Sequence, residues 1–285
     1  MAERSLTDDV AVVTGASAGI GAATARELAS RGADVVLAAR SEKRLESLAD
    51  ELEREYETTA LAVPTDVRER EQVEALIEAT VEELGGLDAL VNNAGLARGA
   101  DVGTMSDDEY RTIMETNVDG VFYATRAALP YLRESASQYE PADQHESADE
   151  HESADERESA DQHESADERE SMDGGGHLVF VGSFAGQYPR PFNPVYAASK
   201  WWVRGFALSV AAAAGENDLA VTVVNPSEVR TEFGSEYGDS FADRFDPGEV
   251  TEPEEVAEAI AFAVTREGST VSELDLYRRD KLTFF

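Results

Sequence analysis

Short apolar runs alternate along this chain with longer stretches in which apolar residues recur every three or four positions. The short runs are rich in Val, Ala and Leu and almost entirely apolar, which predicts strands buried on both faces of a sheet. The longer stretches, such as the one that carries Leu45, Leu48 and Leu52, have the spacing of amphipathic helices. The predicted strands are Val10–Val13, Asp34–Ala38, Thr59–Val63, Ala89–Val91, Leu178–Val181 and Ala220–Val224.

The regular alternation of strand and helix predicts an α/β fold with a parallel sheet and helices on both faces. Six or seven strands in this order form a doubly wound, Rossmann-type sheet. We expect a single domain made of residues 1–134 and 176–285.

The segment 135–175 departs from this pattern. A six-residue unit recurs within it from His145 to Gly174, and Ala is the only apolar residue that recurs. Because such a segment buries too little apolar surface to offset its ordering entropy, we predict a disordered, acidic, low-complexity insert. It joins a helix to the next strand, so it should leave from the amino ends of the strands, whereas ligands bind at the carboxyl ends.

A glycine-rich turn follows the first predicted strand and precedes a helix, in the run Thr14-Gly15-Ala16-Ser17-Ala18-Gly19-Ile20-Gly21. Gly15 permits a tight turn, Gly19 lets the backbone approach a phosphate, and Gly21 allows the helix to pack closely on the strand. The helix amino terminus supplies N–H donors for a pyrophosphate. The turn therefore predicts a dinucleotide site.

Three polar side chains predict an acid–base centre near that turn. Tyr196 and Lys200 are four residues apart in a helical stretch and therefore share a face. A nearby ammonium favours the phenolate, which brings the pKa of Tyr196 down from about 10 toward the range useful in general acid–base catalysis. Ser183 ends a predicted strand, where its hydroxyl can hold a carbonyl or an alcohol.

Five pieces of the chain resemble, in order and spacing, the short-chain dehydrogenase/reductase family: the glycine turn, Asn92-Asn93-Ala94-Gly95, Asn117, Ser183 and Tyr196-Ala197-Ala198-Ser199-Lys200. The resemblance covers nearly the whole chain except the insert. It implies an NAD(P)-dependent oxidoreductase that moves hydride between nicotinamide and a secondary alcohol or ketone.

The resemblance also implies roles for single residues. Tyr196 would transfer the proton and Ser183 would orient the substrate oxygen. Lys200 would position the ribose and lower the pKa of Tyr196, and Asn117 would hold a water that continues the proton path. The implied cofactor-binding residues are Gly15, Ser17, Gly19, Ile20, Gly21, Arg40, Asp66, Val67, Asn93, Ala94, Gly95, Tyr196, Lys200, Val229 and Thr231.

The choice between NADP and NAD depends on the end of the second strand. NAD enzymes usually place a carboxylate there, whereas this chain has Arg40, which favours NADP and leaves NAD possible. The alternative is that Arg40 is solvated or paired with Glu42.

Asp66 would meet the adenine or, alternatively, cap a helix. The family's Pro-Gly-x-Val-x-Thr motif reads Pro226–Thr231 here, with Ser227 in the glycine position, which puts the local backbone in doubt.

Two other functions stay open: an epimerase or dehydratase of the extended branch of the superfamily, and a non-catalytic, NADP-binding redox-sensing module. The substrate should be selected by the stretch 235–250, whose acidity disfavours strongly anionic substrates. The runs Asn92–Gly99 and Val271–Leu274 resemble the branch that acts on serine and other 3-hydroxy acids, so a 3-hydroxy acid or 3-oxoacyl substrate is a narrower expectation.

Composition narrows the class of partner. The chain has 59 Asp and Glu against 24 Lys and Arg, a net charge of −35, which argues against nucleic acids and anionic membranes as partners. It has no cysteine, and its four histidines lack zinc-like spacing, so we expect neither disulfides nor a metal. We expect a cytoplasmic homodimer or homotetramer, paired through the helices at Asp107–Leu132 and Tyr196–Ala214.

The acidity predicts a dependence on salt. Residues 140–173 carry a net −13, so −22 lies outside the repeat, and only three of the basic residues are lysine. This composition resembles that of proteins from salt-loving organisms. Because molar salt shortens the Debye length to about 3 Å, repulsion among surface carboxylates should largely vanish. We expect melting temperature and activity to rise together from dilute buffer to about 1–2 M KCl. A melting temperature that is flat across this series would contradict the prediction.

Overall fold

A computed structural model of the chain describes residues 4–97, 101–137, 176–214, 219–233, 239–266 and 268–279. The strands in these ranges are β1 (Val10–Thr14), β2 (Asp34–Ala39), β3 (Ala60–Pro64), β4 (Ala89–Asn92), β5 (His177–Val181), β6 (Ala220–Pro226) and β7 (Glu273–Leu276). They form one parallel sheet in the order β3-β2-β1-β4-β5-β6-β7. The doubly wound, Rossmann-type α/β prediction is confirmed.

Helices connect the strands. They are α1 (Gly19–Ser30), α2 (Glu42–Glu55), α3 (Arg70–Leu84), α4 (Asp107–Met114), α5 (Gly120–Ser137), α6 (Pro194–Ala214), α7 (Phe241–Arg244) and α8 (Pro253–Val264). Among the described helices, none combines the length and the apolar character that crossing a bilayer requires.

Both faces of the sheet are buried, because successive side chains of a strand point to opposite sides. In β1, Ala11 and Val13 join the apolar cluster that includes residues of α1, α2 and α8. Val10 and Val12 join the cluster on the opposite face, with residues of α3, α5 and α6. This arrangement explains why the strands were recognisable as continuous apolar runs.

The structure agrees with the six predicted strands and adds a seventh. β3 begins one residue later than predicted, while β4, β5 and β6 extend beyond the predicted runs. β7 is half-buried and pairs in parallel with β6 at the edge of the sheet. Its alternation of acidic residues and leucine is not the apolar run that identified the others.

Two predicted boundaries need correction. The stretch Asp107–Leu132 is helical throughout but is not one regular α-helix, since a single π-helical turn, Glu115–Asp119, lies between α4 and α5. α5 continues to Ser137, so residues 135–137 belong to a helix and not to the insert. The rest of the predicted insert, 138–175, lies outside the described residues.

A polar cluster lies at the amino ends of the strands, next to the start of β5. His177 is buried, and burial together with the charge of Arg4 lowers its pKa to about 3. Arg4 pairs with Asp9, whose pKa burial raises to about 6. Asp88 accepts a hydrogen bond from Ser135 Oγ at 2.6 Å. The folded chain therefore keeps His177 neutral in acid that would protonate it in the unfolded chain.

Because of His177, we expect part of the unfolding free energy to be lost in acid. As pH falls from about 6.5 toward 3, the unfolded chain binds a proton at His177 that the folded chain refuses, so stability is lost. From pH 7 to pH 4.5, the wild type should lose roughly 2–3 kcal/mol more unfolding free energy than His177→Leu, which has no imidazole to protonate. Urea denaturation at both pH values, at one fixed KCl concentration, measures this difference.

The raised pKa of Asp9 acts in the opposite direction, because the folded chain binds its proton first as pH falls below about 6. Asp9→Asn is therefore the matched control, and it should lose stability relative to the wild type over the same interval. Parallel pH profiles for the wild type and His177→Leu would contradict the assignment.

Candidate active site

The carboxyl ends of the strands border a cleft of about 1090 Å³. It lies where the strand order reverses between β1 and β4, the position at which doubly wound sheets bind ligands. Gly21 and Asn117 are not part of its lining. The predicted residues that line it are Gly15, Ser17, Gly19, Ile20, Arg40, Asp66, Val67, Asn93, Ala94, Gly95, Ser183, Tyr196, Lys200, Val229 and Thr231.

The glycine turn requires glycine for both conformation and space. Gly15 and Gly19 have positive φ, 69° and 55°, which disfavours other residues. A Cβ at Gly21 would lie 2.3 Å from the carbonyl oxygen of Gly15, so helix α1 packs directly on the turn. A Cβ at Gly19 would lie 3.0 Å from Thr231 Cγ2. The predicted roles of Gly15 and Gly21 agree with this geometry.

The run after β4 is tied to the glycine turn by Thr14, which the sequence analysis did not assign to the site. Thr14 Oγ1 accepts hydrogen bonds from the backbone N–H of Asn93 at 3.0 Å and of Ala94 at 3.1 Å. Asn93 Nδ2 donates to the carbonyl of Thr14 at 2.8 Å. The sequence signal that could have identified Thr14 is its position as a polar residue at the end of an apolar strand. These bonds thus fix Asn93 and Ala94, which line the cleft, against the glycine turn.

The turn fits a pyrophosphate by the chemistry of its donors. Ala18 is the N-cap of α1, and no side chain caps this helix. No acidic residue lies in its first turn. The first backbone N–H groups of α1 therefore remain for an anion, and the helix dipole favours one there.

The other end of the cleft carries arginines beside β2 and β3. Arg40 is exposed, directly after β2. Asp66 accepts from Arg68 Nε at 2.9 Å and from the backbone N–H of Arg68 at 3.1 Å. These contacts with Arg68 are the main cause of the lowered pKa of Asp66, and the charge of Arg40 adds to them. The N-cap of α3 is Glu69, so the alternative that Asp66 caps this helix does not hold.

An ion pair spans the opening of the cleft. Arg44 Nη1 on α2 lies 2.9 Å from Glu232 Oε2, which follows Thr231 after β6. Both side chains are more than half exposed. The pair links the two sides between which a ligand would enter.

Ser183 and Tyr196 form the centre of the cleft. Ser183 follows β5 and caps a short 3₁₀ helix, Phe184–Gly186, through a hydrogen bond from the backbone N–H of Ala185 at 3.1 Å. Burial raises the pKa of Tyr196, while the nearby Ser183 hydroxyl and the charge of Arg190 oppose that rise.

Lys200 lies one turn beyond Tyr196 on α6, as predicted. Its Nζ donates to the carbonyl of Val181 at 2.7 Å, and burial lowers its pKa to about 8. The charge of Arg190 also acts to lower the pKa of Tyr196, a contribution that the sequence did not suggest. Arg190 lies in a stretch without a recognisable motif, and the sequence analysis missed it.

Asn117 is buried in the π turn and is hydrogen-bonded to residues on both sides of the catalytic centre's support, Leu96 and Ser199. It exchanges two hydrogen bonds of 2.9 Å with the backbone of Leu96 and donates to Ser199 Oγ at 3.0 Å. Ser199 in turn donates to the carbonyl of Tyr196 at 2.7 Å. A Cβ at Gly95 would lie 3.4 Å from Asn117 Oδ1 and 3.5 Å from Lys200 Nζ, so both groups border this glycine. Ser199 is a second polar partner that the sequence analysis passed over.

The segment after β6 closes the far side. Ser227, at the family's glycine position, accepts a hydrogen bond from the backbone N–H of Arg278 at 3.1 Å. Asp8 is the one non-glycine residue with positive φ in the described chain, so the serine causes no strain of that kind. Val229 forms a parallel bridge with Thr251, and Thr231 packs on Gly19.

The acidic stretch 235–250 contributes differently from the expectation. Phe241 and Arg244 line the cleft. The described acidic side chains of the stretch do not line it, and Asp243 instead closes a capping box with Ser240. Glu236 lies outside the described residues. The acidity of this stretch is therefore no argument against anionic substrates.

Known proteins share this arrangement. The family model described as short chain dehydrogenase matches residues 9–138 and 168–240. An uncharacterized oxidoreductase of Staphylococcus aureus (strain USA300) is 30% identical over 261 residues, which cover 92% of this chain and 93% of the relative. The chain belongs to the short-chain dehydrogenase/reductase family. It is an oxidoreductase of that family.

Two solved structures are similar over nearly their whole length. An alcohol dehydrogenase from the archaeon Thermococcus sibiricus, complexed with 5-hydroxy-NADP, is 27% identical with a TM-score of 0.74, covering 94% of this chain and 96% of that one. A 3-ketoacyl-(acyl-carrier-protein) reductase from Brucella melitensis, complexed with NADH, is 27% identical with a TM-score of 0.75, covering 95% and 97%. Both relatives hold a nicotinamide cofactor, and the donor set of the glycine turn fits one here.

Proposed function

We propose that this protein is an NAD(P)-dependent short-chain alcohol dehydrogenase or ketoreductase. The observation that carries the proposal is that Ser183, Tyr196 and Lys200 line the same cleft as the glycine turn, with Lys200 one helical turn from Tyr196. A nicotinamide bound there supplies or accepts the hydride. The substrate is a secondary alcohol or ketone, with a 3-hydroxy acid or 3-oxoacyl compound as the narrower form of the proposal.

The chain's own groups handle the proton and the oxygen. Ser183 holds the substrate oxygen by a hydrogen bond, and Tyr196 gives that oxygen a proton in reduction or removes it in oxidation. Lys200 and Tyr196 would also hold the ribose. Asn117 and Lys200 both border Gly95, which supports a water-mediated path for the proton between them.

The cofactor residues divide between two halves of the cleft. Gly15, Ser17, Gly19 and Ile20 would hold the pyrophosphate at the start of α1. Val67 and Asp66 would meet the adenine. Asn93, Ala94 and Gly95 would face the adjoining ribose, and Val229 and Thr231 the carboxamide. Gly21 acts indirectly, by letting α1 approach the turn.

NADP is the proposed cofactor, with NAD as the less favoured one. The two solved relatives hold 5-hydroxy-NADP and NADH, so the choice rests on Arg40. Arg40 lines the cleft at the end of β2, and its charge acts on nearby Asp66. A guanidinium at this place suits the 2′-phosphate of NADP.

We further propose a cytoplasmic homodimer or homotetramer that works at high salt, as expected of a protein from a salt-loving organism. Exposed aromatic side chains on the predicted pairing helices support the assembly: Tyr110 on α4, Phe122 on α5 and Trp201 on α6. Burying such side chains between subunits would remove apolar surface from water. No nucleic acid or membrane is proposed as a partner.

The cofactor choice is testable at Arg40. Arg40→Ala should weaken NADP binding by roughly 10- to 100-fold and leave NAD binding nearly unchanged, because only NADP carries the 2′-phosphate. Fluorescence titration of both cofactors measures the effect. Arg54→Ala, at the other end of α2, is the matched control and should change neither affinity. An equal loss for both cofactors, or no loss for either, would contradict the assignment of Arg40 to the 2′-phosphate.

Catalysis is testable at Tyr196. Tyr196→Phe removes the proton donor alone, so turnover should fall by at least about a hundredfold while cofactor affinity stays the same. Nicotinamide absorbance with a panel of ketones and alcohols measures turnover, and exposed Tyr110→Phe is the control. Turnover within tenfold of the wild type would refute the role of Tyr196. No turnover by the wild type on any substrate would favour the redox-sensing module.

A further inference from the structure

Arg190 occupies a fixed place beside the catalytic pair. It lies in the lining of the cleft, on the connection between Ser183 and Tyr196. Its guanidinium carbon is 4.3 Å from the centroid of the Phe184 ring. Phe184 is buried and stacks on Tyr188, with 4.5 Å between the ring centroids. The cation therefore rests on an aromatic platform that begins at the residue after Ser183.

Arg190 has no carboxylate partner among the residues that the structure describes. Many arginines of the described chain do pair with carboxylates, as Arg204 does with Glu273 at 2.5 Å and Arg26 with Glu51 at 2.6 Å. Within the described ranges, the side chain of Arg190 also donates no hydrogen bond. Its N–H groups are available to a ligand in the cleft.

Two of the three acidic side chains that line the cleft are paired with arginines, Glu232 with Arg44 and Asp66 with Arg68. The third, Glu228, follows β6. The charge of Arg190 lowers the pKa of Tyr196, and no carboxylate contributes against it. A negatively charged substrate would thus meet the guanidinium of Arg190 in the cleft that also holds Tyr196.

We propose that Arg190 binds the carboxylate of the substrate, so that the protein reduces oxo acids and oxidises hydroxy acids in preference to neutral ketones and alcohols. This inference rests on the proposed oxidoreductase function. The forked guanidinium matches a carboxylate in two parallel hydrogen bonds, and its single charge balances a single negative charge.

The carboxylate itself does not react. In reduction, the carbonyl carbon of the oxo acid accepts the hydride from the reduced nicotinamide, and the carbonyl oxygen takes the proton of Tyr196. Arg190 holds the far end of the substrate while Ser183 and Tyr196 hold the oxygen. Binding at both ends orients the carbonyl relative to the hydride donor, and this orientation should make reduction of the acid faster than that of the ester.

Matched pairs of acid and ester test the proposal. The probes are pyruvate, acetoacetate and 4-oxopentanoate, each beside its methyl ester, with NADPH oxidation as the readout. Acid and ester present the same ketone and differ in the negative charge. For the preferred chain length, the wild type should show a kcat/KM for the acid at least about tenfold above that for the ester.

Variants of Arg190 assign that preference to the guanidinium. Arg190→Gln should lower kcat/KM for the acid by roughly 10- to 100-fold more than for the ester. Arg190→Lys should restore part of the difference, since it keeps the charge and loses the fork. Exposed Arg133→Gln on α5 is the control and should leave the ratio unchanged. The acid-to-ester ratio cancels any shift in the pKa of Tyr196, because both members need the same proton.

The outcomes distinguish failure of the carboxylate site at Arg190 from failure of the proposed oxidoreductase function. Turnover of the esters alone, or an equal loss for acid and ester in Arg190→Gln, would overturn the carboxylate site and leave the oxidoreductase function intact. A raised KM for NADPH in Arg190→Gln, with an unchanged acid-to-ester ratio, would assign Arg190 to the cofactor and also overturn it. If no acid, ester or ketone oxidises NADPH or NADH, and no alcohol reduces NADP or NAD, the proposed function is refuted, and this inference with it.

Discussion

The close approach of three backbone segments at the switch point of the sheet is the constraint on which the rest depends. The turn after β1, the start of α1 and the run after β4 meet with no room for side chains at Gly15 and Gly21. Thr14 and Asn93 bind the turn to the neighbouring strand through backbone groups. A larger residue at Gly21 would displace α1, and with it the N–H donors at the head of the cleft.

The catalytic side chains are positioned by contacts between elements, and not by their own helix alone. Asn117 links the run after β4 to α6 through Leu96 and Ser199. Ser199 then bonds to the backbone of Tyr196. The π turn places Asn117 where it can make these bonds, since it interrupts the regular spacing between α4 and α5. The acid–base centre is thus tied by hydrogen bonds to the π turn and to the run after β4.

Much of this fold was predictable, because strands buried on both faces appear as uninterrupted apolar runs and the glycine turn follows the first of them. β7 was not, since its alternating acidic residues and leucines acquire a partner only when β6 is in place. The π turn depends on bonds between Asn117 and Leu96, which no helical periodicity reveals. The site motifs identified Ser183, Tyr196 and Lys200 by spacing.

Arg190 shows what spacing leaves out. Its place depends on the Phe184 ring beneath it, which is also packed edge-on by Tyr277, nearly a hundred residues away in the chain. Likewise, the pKa directions at Tyr196 and Lys200 follow from burial, which depends on every element around the cleft. Residue order predicts which groups take part, whereas the charges that act on them are a property of the folded chain.

The Arg44–Glu232 pair joins α2 to the segment after β6 at the lining of the cleft. Both side chains are largely solvated, so the contact contributes less than about 1 kcal/mol and weakens as ions screen it. A medium of high ionic strength therefore removes little stability from this edge of the cleft, although it screens the charge of both partners.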